Sequence, residues 1–264
     1  MNLEPERELK EYEPSADVAD ELNISHTLRS LDVAPEKVER YGIHPDQYIE
    51  WYGSSAGSPV CLIHGGYFHE DGTLSYLRPA ACALGEAGYS VALVEYRREE
   101  GNQEVSFNDI EKLAEHPRLA RAVWVGHSAG AVFALHALFA DTNKVKHAVV
   151  LSPIFDLARA AQEDLGKSSN PTLRWMKGLP SEIPAAYQRW EPMEMYRNMG
   201  ADGFRDRDLR LDVIHGAQDQ TVPVARTRDL IGEPFNFAIV PHENHNDAIR
   251  PGSDSWFLLL GCLG

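Results

Sequence analysis

The chain has 264 residues, of which 43 % are hydrophobic and 25 % charged, a globular composition that excludes a coiled coil or a largely disordered chain. Acidic residues outnumber basic ones, 40 to 25, for a net charge of −15. That balance excludes nucleic acid and anionic membrane surfaces as expected partners, since both require a basic face.

The first ten residues, Met1–Lys10, are charged and lack the apolar run of a signal peptide. No stretch reaches the roughly 20 apolar residues that cross a bilayer, and Trp256–Gly264 reads as a terminal helix. Cys61, Cys82 and Cys262 lie far apart, without CxxC or metal-type spacing. A cytoplasmic, disulfide-free chain is therefore expected, with no metal and no cofactor. A single domain over residues 1–264 is the simplest division.

Residues 1–46 form an acidic extension that Pro5, Pro14, Pro35 and Pro45 break into short helices or loops. From Gln47 the pattern changes. Short continuous apolar runs recur at Val60–Ile63, Ser90–Val94, Ala122–Val125, Ala148–Leu151, Leu211–Ile214 and Phe237–Val240. Each reads as a strand buried on both faces. Between them, Leu77–Ala87 and Asn108–Ala114 carry helical spacing, and Ala131–Phe139 is apolar nearly all round, as a buried helix would be. Strands alternating with helices predict a mostly parallel sheet flanked by helices, with its chemistry at the carboxyl ends of the strands. The interval 158–207 breaks the rhythm. It holds Trp175, Met176, Tyr187, Trp190, Met193, Met195 and Tyr196 among prolines but no buried strand. It is read as a small helical cap inserted over the sheet, the alternative being crossover helices with an aromatic core face.

Gly126-His127-Ser128-Ala129-Gly130 falls between a strand and a helix. A sharp turn there strains the serine backbone and presents its hydroxyl at the top of the sheet, and the flanking glycines remove side chains that would clash. A serine hydroxyl needs a base, and the base an orienting acid. In this architecture the order along the chain is Ser, then Asp or Glu, then His. Asp219 follows the fifth run and His245 the sixth, so Ser128, Asp219 and His245 are the expected catalytic residues. Asp156, after the strand that follows the nucleophile helix, is the rival acid. His242, beside Pro241, is the rival base. A metal reading of His242 and His245 lacks a third ligand. His64-Gly65-Gly66-Tyr67 follows the first run, where an oxyanion loop belongs, so the N–H groups of Gly66, Tyr67 and Ala129 are the expected oxyanion donors.

With these residues in hand the chain resembles the α/β-hydrolases and, more narrowly, the kynurenine formamidase (arylformamidase) family. That family pairs an H-G-G-x-W loop with G-x-S-x-G, and the counterparts here are His64–Phe68 and Gly126–Gly130. Glu11–Ser15 is similar to the family's Y-x-P-S start, Ser152–Leu157 to its S-G-x-x-D-L segment, and His245-Asn246-Asp247 to its H-F-D ending. The resemblance makes Asp156 a structural residue and favours His245 over His242. Phe68 stands where the family has tryptophan, and Asn246 where it has phenylalanine.

The resemblance implies an α/β-hydrolase fold and a serine hydrolase that cleaves an arylformamide, with N-formyl-L-kynurenine as substrate and a formyl-enzyme intermediate. A flat apolar slot for the aromatic leaving group is expected from Tyr67, Phe68, Trp175 and Trp190, with His64 and Gly65 beside it. The rival enzyme reading is a short-chain carboxylesterase of the H-G-G-loop type. A third is a non-catalytic binding protein on a hydrolase scaffold, against which the complete Ser-Asp-His set argues. The expected partner is a small aromatic molecule, and a homodimer is left open.

Overall fold

The computed structural model describes residues 27–28, 33–142, 144–163 and 170–264. The Glu11–Ser15 segment and most of the 1–46 extension lie outside them. The apolar runs are the strands β3 (Ser58–Ile63), β4 (Tyr89–Glu95), β5 (Val123–His127), β6 (His147–Leu151), β7 (Arg210–Gly216) and β8 (Asn236–Val240). Two further strands, β1 (Lys37–Arg40) and β2 (Tyr48–Tyr52), precede them. The sheet order is β1-β2-β4-β3-β5-β6-β7-β8. The β1–β2 and β2–β4 pairs are antiparallel and every other pair is parallel.

Each parallel strand divides its side chains between two cores, as the two-residue period requires. Cys61, Ile63, Ala92, Val94, Trp124, Ala148, Val150, Leu211 and Val213 face one core. Val60, Leu62, Val91, Leu93, Val125, Val149, Leu151 and Ile214 face the other. A run apolar at every position is thus the signature of a sheet covered on both sides. Helices α1 (Arg78–Glu86), α2 (Gln103–Ala114) and α3 (Gly130–Phe139) follow β3, β4 and β5 respectively. Every residue of α3 is buried, which explains why its sequence shows no polar face.

The extension was expected to hold only loops and short helices, yet β1 is a strand. Its sequence, Lys-Val-Glu-Arg, is largely exposed and gives no apolar signal. Main-chain pairing with β2 holds it at the sheet edge. β2 is interrupted by the buried Glu50, whose charge Arg78 neutralises at 2.7 Å and which accepts a hydrogen bond from Tyr52 Oη at 2.9 Å.

Between β6 and β7 lie α4 (Leu157–Gln162), α5 (Pro171–Met176), α6 (Pro184–Trp190) and α7 (Pro192–Asp206). These helices occupy the 158–207 interval, and their aromatic residues join the same core as α3. Trp175 meets Phe133 edge-on at 6.0 Å, and Tyr196 packs on Phe139 at 5.6 Å. Short helix α8 (Ala225–Arg228) precedes β8, and α9 (Asp254–Leu263) closes the described chain. Among the described residues no helix is long and apolar enough to cross a membrane. Cys61, Cys82 and Cys262 are free thiols.

Candidate active site

Ser128 sits in the turn from β5 to α3 with φ +56°, left-handed backbone that costs a non-glycine residue about 1–3 kcal/mol and persists only where its surroundings enforce it. Here they do. The Ser128 N–H donates to Leu151 O at 2.9 Å, and Ser128 O accepts from Ile154 N at 3.2 Å, tying the turn to the end of β6. The two motif glycines are steric necessities. A Cβ on Gly126 would lie 2.6 Å from Gly130 O, and one on Gly130 would lie 2.4 Å from Ile63 O. The strand–turn–helix is wedged against the end of β3.

The loop after β3 is pressed onto the same turn. A Cβ on Gly65 would fall 2.9 Å from Ser128 Cβ and 3.2 Å from Ala129 N. Gly66, Tyr67 and Phe68 then follow with φ +112°, +55° and +59°, three successive left-handed residues that curl the loop, closed by His69 N donating to Gly66 O at 3.0 Å. This places Gly65, the residue before Gly66 and Tyr67, directly against Ser128 and Ala129. His64 does not face an opening. It is fully buried, with Nδ1 2.7 Å from Gly65 O and Nε2 2.8 Å from Glu95 Oε1. Arg98 Nη1 donates to the same carboxylate oxygen at 2.6 Å, and Leu74 N to the other at 3.0 Å. Burial alone would raise the Glu95 carboxyl; His64, Arg98 and the Leu74 amide more than offset it and bring it down to about 2. His64 and Glu95 therefore anchor the base of the loop.

Asp219 and His245 are brought together. His245 Nδ1 donates to Asp219 Oδ2 at 2.8 Å, and both residues are buried. Asp219 Oδ1 accepts from Thr221 N at 2.9 Å and Val222 N at 2.7 Å. Burial opposes the charge on Asp219, but His245 and His215 outweigh it and hold the carboxyl well below the usual range. The two loops meet through the backbone: Gln218 N donates to Glu243 O at 2.9 Å, and a Cβ on Gly216 would lie 2.4 Å from that oxygen. Asp247 steadies the His245 loop by accepting from Asn244 N at 2.9 Å and Arg250 Nε at 2.9 Å.

The rivals are placed elsewhere. Asp156 caps α4, accepting from Arg159 N at 2.8 Å, and His242 is exposed at φ +65°. Phe68, Trp175 and Trp190, expected to line a slot, are core residues. Phe68 stacks face to face on Trp175 at 4.3 Å, and Trp190 on Phe107 at 4.5 Å. Their largest faces are used by one another, so of the four aromatics only Tyr67, which is half-buried, is not packed into the core. Among the described residues no group of three or more His, Cys, Asp or Glu is placed to hold a metal ion.

His215 was not anticipated. It is fully buried, and its Nε2 lies 3.0 Å from both Asp219 Oδ2 and Val222 O. Two acceptors require that this nitrogen carry a proton, while Thr227 Oγ1, 2.7 Å from Nδ1, fixes the ring. The signal available in the sequence was a histidine inside a buried strand four residues before the aspartate. Removing this donor in His215→Phe leaves more negative charge on Asp219 facing His245, which favours the protonated imidazole. The acidic limb of the kcat/KM–pH profile is expected to move up by about one pH unit and kcat to fall about tenfold. His215→Gln, which keeps an amide donor, should restore most of both.

An open, mostly parallel sheet in this strand order, with a left-handed serine at the β5–α3 turn and a His–Asp pair after β7 and β8, defines an α/β-hydrolase. Residues 84–255 match the prolyl oligopeptidase family, a span that includes Ser128, Asp219 and His245. The chain belongs to that family and is a serine hydrolase. No curated protein matches its sequence.

Among solved structures, esterase B from Lactobacillus rhamnosis (HN001) is similar at TM-score 0.66 and 17 % identity, covering 93 % of this chain and 90 % of that one. Thermogutta terrifontis esterase 2 phosphonylated by sarin is similar at TM-score 0.62 and 16 % identity, covering 88 % and 93 %. An acetyl ester-xyloside bifunctional hydrolase from Caldicellulosiruptor lactoaceticus gives TM-score 0.59 and 17 % identity, covering 86 % and 95 %. At these identities the likeness is one of fold.

Proposed function

We propose that the protein hydrolyses small acyl groups, with short-chain carboxylic esters as its substrate class. Ser128 Oγ attacks the carbonyl carbon and passes its proton to His245, which Asp219 holds in the tautomer that accepts at Nε2. The oxyanion is stabilised by the N–H groups of Gly66, Tyr67 and Ala129, each worth about 3–4 kcal/mol when fixed in advance. His245 then protonates the leaving oxygen. Water, activated by the same histidine, releases the acid from the acyl-enzyme.

The observation that carries this reading is the buried His245–Asp219 hydrogen bond at 2.8 Å on loops tied to the turn that bears Ser128. The preference for a small acyl group is supported by the crowding of the loop onto the turn, where a Cβ on Gly65 would lie 2.9 Å from Ser128 Cβ. The esterases of similar fold support the ester class. A second reading, arylformamide cleavage through a formyl-enzyme, is favoured by the same crowding, since formyl is the smallest acyl group. The cap role of Asp156 and the Asp247-braced loop behind His245 also agree with the segments in which the chain resembles arylformamidases.

The test is kcat/KM for p-nitrophenyl acetate, butyrate and octanoate beside N-formyl-L-kynurenine. Acetate should exceed octanoate by about 100-fold or more. A longer-chain optimum overturns the small-acyl reading. A formamide rate orders of magnitude above the acetate rate replaces the first reading with the second.

A further inference from the structure

One buried hydrogen-bonded line runs behind the site and touches three of its four loops, those of Gly65, Ser128 and His245. Gly65 N, in the oxyanion loop, donates to Tyr76 Oη at 2.7 Å. Tyr76 Oη lies 3.0 Å from His127 Nδ1, and His127 is the residue immediately before Ser128. His127 Nε2 lies 3.1 Å from the carbonyl oxygen of His245. Tyr76 and His127 are both buried.

The polarity of the line is fixed at every member. The His245 carbonyl can only accept, so His127 Nε2 carries the proton. A neutral imidazole protonated there has Nδ1 as its acceptor, which orients the Tyr76 hydroxyl to donate towards His127 and leaves its oxygen to receive the Gly65 N–H. Burial, and next the neighbouring His245, push His127 down to about 3, so it stays neutral at physiological pH. Tyr76 is itself held: it lies on the 3₁₀ turn Leu74–Leu77, whose first amide is bound by Glu95 Oε2 at 3.0 Å.

We infer that Tyr76 and His127 act as one positioning unit, setting the oxyanion loop, the Ser128 turn and the His245 loop in mutual register for acyl transfer. Neither side chain touches the reacting atoms. Their contribution is to keep Gly65, and with it the Gly66 and Tyr67 amides, at a fixed distance from the turn that carries the nucleophile, while setting the height of the His245 backbone. A register error of an ångström between these loops is felt in the transition state much more than in substrate binding. The inference rests on the Ser128–His245–Asp219 reading of the site.

Tyr76→Phe, His127→Asn, His127→Gln and the double variant Tyr76→Phe/His127→Asn are assayed with p-nitrophenyl acetate, well below each unfolding midpoint and beside Ser128→Ala. Tyr76→Phe and His127→Asn should each lower kcat about 10- to 100-fold with KM unchanged within about twofold. The double variant should be at most about threefold worse than the poorer single one, because either break severs the same line. His127→Gln keeps a donor towards the His245 carbonyl and should recover at least about threefold over His127→Asn. Losses that multiply, a change carried by KM, or Tyr76→Phe within twofold of wild type overturns the inference. Should the His127 variants fail to fold, the rate of fluorophosphonate labelling of Tyr76→Phe decides: slowing of about tenfold or more supports the unit, and an unchanged rate overturns it. Turnover surviving in Ser128→Ala overturns the reading of the site and the inference with it, whereas loss there with additive single effects overturns the inference alone.

Discussion

Ser128→Ala is expected to lower kcat for p-nitrophenyl acetate by about 10⁴- to 10⁶-fold, with KM little changed and fluorophosphonate labelling abolished. The size of the effect follows from what the residue does. Without a nucleophile the acyl-enzyme cannot form, and what remains is hydrolysis by water beside the fixed amides of Gly66, Tyr67 and Ala129. Stability should change little. Ser128 holds φ +56°, and this strain is imposed by the bonds to Leu151 and Ile154 and by the packing of Gly126 and Gly130. Alanine suffers the same backbone strain without the hydroxyl, so the unfolding midpoint should stay within a few degrees of wild type. Activity retained within tenfold places the nucleophile elsewhere and removes Ser128 from the mechanism.

The six apolar runs, the three helices that follow the first parallel strands and the position of Ser128 were legible in the sequence because each expresses a local rule. Strands buried on both faces show continuous apolar runs, and a glycine-flanked serine between a strand and a helix has few other uses. The edge strand β1 was not legible. Its residues are exposed and it is held by main-chain pairing, which leaves no pattern in side-chain polarity. β2 was obscured by Glu50, whose partner Arg78 lies 28 positions away. The aromatic residues expected to line the slot illustrate a different limit. The resemblance called for a slot near the site from Phe68, Trp175 and Trp190, but only the fold shows that Phe68 stacks on Trp175 and Trp190 on Phe107. His215 and Tyr76 escaped for a related reason: a polar residue inside an apolar run has no identified partner until the chain is folded.

In the sequence the choice of acid rested on chain order and on the resemblance, and the structure supplies what that argument lacked. Asp156 is consumed by the first turn of α4, where it satisfies an N-terminal amide that would otherwise be unbonded. Asp219 is surrounded by donors, two from the backbone and two from histidines, and none of them belongs to a helix it must cap.

That surplus of donors makes Asp219→Asn the most informative replacement after Ser128→Ala. Its carboxylate accepts from Thr221 N, Val222 N, His215 Nε2 and His245 Nδ1, which fills its acceptor sites. An amide offers one oxygen and an NH₂ group, so at least one donor must face another. The cheapest relief is for His245 to move its proton from Nδ1 to Nε2, the nitrogen that must accept from Ser128. The expected loss in kcat is about 10⁴-fold, with KM nearly unchanged. Stability against acid carries a second signature. Because the folded carboxyl is held well below its unfolded value of about 3.9, Asp219 contributes stability that is present above that pH and lost progressively as the pH falls below it towards the folded value. The wild-type urea midpoint should therefore drop between pH 5 and pH 3 more steeply than that of Asp219→Asn, while above pH 5 the variant is the less stable of the two. If instead the kcat loss is under about tenfold, Asp219 does not orient His245 during turnover, and the buried pair serves only to join the loops after β7 and β8.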